Sequence, residues 1–118
     1  MQSYLNLQIW HQAKDIYLTV NSLVVHPQFQ HHRYFRDQLL RSSLSIALNI
    51  SEGNARGSQK EFVHFLRIAR GSLDETHAAL AIALQAFPGL PIQESYLREL
   101  EHLKRSINAL IARMTRTN

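Results

Sequence analysis

Phe62, Leu66, Ala69, Leu73, Thr76, Leu80, Ala83 and Phe87 recur at alternating steps of four and three. A strand repeats every two residues, so a row with this spacing stays on one side only of a helix. Held over about 26 residues, or roughly 39 Å of helix, it is the most regular pattern in the chain. Phe65, Ser72, Ala79, Ile82 and Ala86 add a second, largely small-residue edge where another helix can approach closely.

The breaks in the chain are few. Four glycines and three prolines fall mostly in clusters: Pro27 alone, Gly53 with Gly57, and Pro88-Gly89-Leu90-Pro91. Three breaks leave four segments, each with helical periodicity. In the first, about Leu7 to Val25, Trp10, Ala13, Tyr17, Val20 and Val24 form a stripe that Ile9, Ile16 and Leu23 widen. Pro27 stops it, having no amide proton to donate. The second, about Tyr34 to Asn54, turns Phe35, Leu39, Ser43, Ile46 and Ile50 inward and leaves Leu40, Leu44 and Leu48 elsewhere. A helix apolar on more than one face is central in its domain or meets another chain. The third opens with Ser58-Gln59-Lys60-Glu61, a capping box in which serine and glutamate each satisfy the other's amide. The fourth repeats the alternation with Tyr96, Leu100, Leu103, Ile107, Leu110 and Met114. Its acids lie early and its bases late, complementing the helix dipole. The expected fold is all-α, an antiparallel up-down-up-down four-helix bundle, with residues 1–118 as one domain.

Function classes narrow by composition. Cysteine is absent, which excludes disulfides, thiolate metal sites and a cysteine nucleophile. The N-terminus shows no basic n-region followed by an apolar run, and no apolar run nears about 18 residues. A soluble cytoplasmic protein without membrane contact is expected. Thirteen Lys and Arg against nine Asp and Glu give +4, a mild bias that permits nucleic-acid contact.

Arg41, Asn49, Glu52, Ser72 and Glu75 stand out as polar groups on helices that otherwise pack apolar faces. A hairpin turning near Ala55 sets Glu75 level with Arg36, Arg41 with Arg70, and Glu52 with Gln59 or Lys60. These groups are expected to form a structural network fixing helix register. Glu52 and Glu75 then stand about 24 Å apart, too far for paired acid–base chemistry. His26, His31 and His32 share one connection but lack a matching carboxylate, and read as loop. Glu61/His64 and Glu99/His102 have the spacing of a di-iron bundle, yet Glu61 is claimed by the cap, and Glu99 and His102 flank their stripe. No catalytic residue, metal site or cofactor is assigned.

Arg56, Lys60, His64, Arg67 and Arg70 advance by three or four residues and trace a positive stripe at the start of the third helix. Arg56, Lys60, Arg67 and Arg70 are the candidate nucleic-acid contacts, able to meet a backbone phosphate. No aromatic residue interleaves with them, so base stacking is not expected.

Gln38–Arg41, Ser45–Gly53, Ser58–Phe62 and Phe65–Glu75, together with the opening Leu7–Ala13, resemble the bacterial four-helix-bundle family of 23S ribosomal RNA intervening-sequence proteins. The resemblance implies a small cytosolic bundle assembled as a homopentamer. A related branch, the accessory proteins of diversity-generating retroelements, is similar in fold and forms pentamers that bind nucleic acid and a reverse transcriptase. Asn54-Ala55 departs from the family, in which an aromatic-glycine pair usually follows Glu-Gly. The resulting expectation is a non-enzymatic homo-oligomeric scaffold, with RNA or DNA as a partner. The alternatives are a protein-binding adaptor without nucleic acid and a metal-dependent bundle enzyme.

Overall fold

A computed structural model describes residues 3–116, and the N-terminal reading at Met1 and Gln2 lies outside them. Among the described residues, four α-helices form the bundle: α1 (Gln8–Leu23), α2 (Arg33–Ala55), α3 (Gln59–Ala86) and α4 (Glu94–Thr115). They form an elongated body of 51 × 22 × 20 Å. Among the described residues there is no strand, and no helix is long and apolar enough to cross a membrane.

The core follows the stripes. Leu39, Ile46, Ile50, Leu66, Leu73, Leu80, Leu100, Leu103 and Ile107 are fully or almost fully buried. Thr76, in the α3 stripe, is also buried; its hydroxyl donates to Ser42 Oγ at 2.8 Å and lies 2.9 Å from the Ser72 carbonyl. Ser43 Oγ donates to the Leu39 carbonyl at 2.7 Å. The hydroxyls in the core are therefore hydrogen-bonded, as burial requires.

The connections are built by local chemistry. After α1, Pro27–His31 forms a 3-10 turn whose start is capped by His26 Nδ1 accepting from the Gln28 amide at 3.3 Å. This turn seats Phe29 wholly in the core. Between α2 and α3, Gly57 takes φ 86°, a left-handed conformation that side chains disfavour. Ser58 Oγ then accepts from the Glu61 amide at 3.2 Å and starts α3. Half of the expected capping box is present. In place of the reciprocal half, the Glu61 carboxylate lies 3.9 Å from Arg56 Nε. Between α3 and α4, Leu90 and Ile92 are buried and pin the Pro88–Pro91 segment to the bundle.

Cross-links set the register. Ser45 meets Ser72 at 2.9 Å and Ser42 meets Thr76 at 2.8 Å, so α2 and α3 run antiparallel. Arg70 with Asn108, Asp74 with Lys104 and His77 with Glu101 do the same for α3 and α4. The α2–α3 register differs from the sequence expectation by roughly six residues, about 9 Å of helix. Continuation of α2 through Ala55, with the reversal at Gly57, supplies part of this shift, and an axial offset of α3 against α2 supplies the rest. Arg41 is consequently not level with Arg70, nor Glu75 with Arg36.

Candidate functional site

The new register separates the expected polar network into three groups. Asn49 Nδ2 donates to the Ser45 carbonyl at 2.8 Å and to Ser45 Oγ at 2.9 Å, and Ser45 in turn meets Ser72. Higher on the bundle, Arg41 Nη2 donates to Gln38 Oε1 at 2.6 Å, and Gln38 Nε2 donates to Glu75 Oε2 at 3.0 Å. At the α2–α3 turn, Glu52 pairs with Arg56 at 2.7 Å. Sequence reasoning did not assign Gln38, Ser42 and Ser45 to this network, and it read Thr76 only as a member of the α3 stripe. Serine and threonine at helix-interior positions read as neutral filler until the facing residue is known.

The basic stripe also divides. Arg56 is held by Glu52, and its guanidinium lies over the Phe65 ring, 5.1 Å from the centroid. Arg70 turns to α4, where Nη1 donates to Asn108 Oδ1 at 2.9 Å. Lys60, His64 and Arg67 are exposed and make no ion pair among the described residues. Together with Arg56, Glu61 and Phe65 they line an open depression of about 590 Å³. A second depression, lined by Lys60, Val63, Arg67, Met114 and Thr115 among others, carries this surface across to the end of α4. The α3–α4 register places exposed Arg113 and Arg116 at that same end. Their late position in α4 reads in sequence as dipole complementation, which hides that they join the start of α3.

The histidines have local contacts. His26 caps the 3-10 turn and His32 stacks on Phe87 at 4.1 Å between centroids. Glu61/His64 lie at the start of α3, whereas the α3–α4 cross-links set Glu99/His102 level with Ala79 and Thr76, roughly 22 Å away along the axis. Among the described residues, no three His, Asp or Glu side chains converge as a metal site.

Polar groups do not cover all of the outward surfaces of α2 and α3. Tyr34 is 73% exposed, Leu44 39%, Leu48 56%, Ile68 41% and Ile82 57%. Scattered single apolar residues are ordinary on a surface; these five share one pair of helices.

Residues 5–112 match the family described as 23S rRNA-intervening sequence protein. The chain belongs to this family. Among solved structures, it is similar to a protein of unknown function from the S23 ribosomal protein family of Bacteroides thetaiotaomicron. The two share 21% identity over 92% of this chain and 99% of that one, with a TM-score of 0.69. At that identity the likeness establishes the four-helix fold. Among curated proteins nothing matches the chain.

Asn54-Ala55, which the resemblance led us to expect as a departure in a loop, is helix. Both residues complete the last turn of α2, and Asn54 is buried. At the preceding Gly53, α2 and α3 approach closely: a Cβ built there would lie 2.6 Å from Phe65 Cβ.

Proposed function

We propose that this 23S rRNA-intervening sequence protein is a non-enzymatic cytoplasmic scaffold that self-associates, as a pentamer, and binds nucleic acid through its basic end. The observation that carries the reading is the apolar surface left open on α2 and α3 of so small a bundle. Burying it in copies of the same chain removes the apolar area from water at about 25 cal/mol per Å². Assembly also repeats the cationic end around the ring and multiplies weak phosphate contacts.

The contacts fall to Lys60 and Arg67, with Arg113 and Arg116 beside them and Arg56 partly committed to Glu52. Such binding is electrostatic and indifferent to sequence, because the Phe65 ring that lines the depression is half-buried and already covered by the Arg56 guanidinium. The test is fluorescence anisotropy with a labelled single-stranded RNA and a DNA duplex at rising salt. Affinity is expected to fall at least about tenfold between roughly 50 and 200 mM salt. Lys60→Glu with Arg67→Glu should weaken binding to both probes alike, whereas Arg70→Ala should change it less than about twofold, since Arg70 is engaged by Asn108. Binding unaffected by salt or by the double reversal would refute the basic end as the site.

A further inference from the structure

Arg98, His102, Arg105, Arg113 and Arg116 all lie on one side of α4. At 3.6 residues per turn they fall within an arc of about 80° and span roughly 27 Å of helix. All five are exposed, and none of their side chains enters a hydrogen bond or ion pair among the described residues. No acid of α4 shares the arc; Glu94, Glu99 and Glu101 flank it. The helix dipole accounts for Arg113 and Arg116 at the C-terminal end, but not for Arg98 and Arg105 further up.

The neighbouring acids are engaged or stand to one side. Glu101 faces His77 at 3.7 Å, Asp74 pairs with Lys104 at 2.8 Å, and Asp15 lies 3.7 Å from Lys14. Asp15 and Glu99 do line an open furrow of about 540 Å³ between α1 and α4, together with Arg98, His102 and Arg105. An anion is therefore repelled from the floor of the furrow and drawn along the outer crest of α4. At its C-terminal end the row reaches Arg113 and Arg116, beside the depression that Lys60 and Arg67 share with Met114 and Thr115.

Resting on the nucleic-acid contact proposed above, we infer that a single-stranded nucleic acid, rather than a duplex, runs from the basic end lengthwise along α4, its phosphates meeting Arg105 and Arg98. A duplex backbone winds through a full turn in about 34–36 Å. Along a straight row of roughly 27 Å it meets the cations only where it crosses them, and it is too stiff to bend onto the rest. A single strand has neither constraint and follows a line of charge.

Fluorescence anisotropy of the full chain tests this with labelled oligouridine, oligothymidine and a DNA duplex, each about 15 nucleotides per strand. Arg98→Ala with Arg105→Ala is expected to weaken both single strands by about fivefold or more at low salt. It should also lower the slope of log affinity against log salt by about 1.4, the share of two phosphate contacts. Duplex binding should change by less than about twofold. R98K/R105K keeps both charges and should bind all three probes within about twofold of the unaltered chain. Helical circular dichroism should be unchanged in both variants, since the two positions are exposed. Single strands bound equally well by R98A/R105A, yet lost by K60E/R67E, would overturn the α4 track and leave the basic end standing. An equal loss for the duplex would overturn the assignment to single strands, and a loss confined to RNA or to DNA would overturn phosphate as the contact. An unaltered chain that binds none of the three would overturn both this inference and the reading beneath it.

Discussion

Gly53 and Gly71 both sit inside long helices, yet their surroundings demand opposite responses to the same substitution. At Gly53 an added methyl group would meet Phe65 Cβ, a carbon fixed to the backbone of α3 that cannot swing away. Gly53→Ala is therefore expected to force α2 and α3 apart and to cost about 1–3 kcal/mol, read by urea unfolding. At Gly71 nothing lies within 4 Å. There Gly71→Ala is expected to stabilise by about 0.5–1 kcal/mol, because alanine loses less backbone freedom on folding. The sequence shows the two glycines as a break and an interruption. It does not show that one is a close-packing position, because that depends on which α3 residue faces it. Phe29 teaches the same lesson. Flanked by two glutamines, it has no periodic neighbours, and only the 3-10 turn capped by His26 delivers it into the core.

The elements themselves were legible. Stripes with alternating steps of three and four located all four helices, with the α3 N-cap at Ser58 as expected. Ser58→Ala is expected to cost about 0.5–2 kcal/mol through loss of the bond to the Glu61 amide, measured by thermal unfolding. Pairing between helices was less legible. A stripe says which face is buried and leaves the axial offset free, and moving the reversal from Ala55 to Gly57, with Asn54 and Ala55 still helical, changes every facing pair. That shift divides the expected polar network and creates the Ser42–Thr76 and Ser45–Ser72 contacts instead. The basic stripe divides as well: Arg70 turns toward α4, Arg56 caps the end of α2 and pairs with Glu52 there, and Lys60 and Arg67 are left outward.

For the whole molecule, the balance of surfaces decides the functional reading. One end is cationic and open, α2 and α3 leave apolar side chains exposed, and among the described residues no cluster of acids and histidines converges. Those features suit the proposed scaffold that repeats itself and touches phosphate. Exposed apolar side chains on α2 and α3 are the feature on which this account stands. Its most direct test is the mass of the unaltered chain in solution, measured by sedimentation at tens of micromolar and moderate salt. Assembly into a single closed species of about 68 kDa, five times the 13.6 kDa chain, is the expected result. A single 13.6 kDa species under those conditions would contradict it.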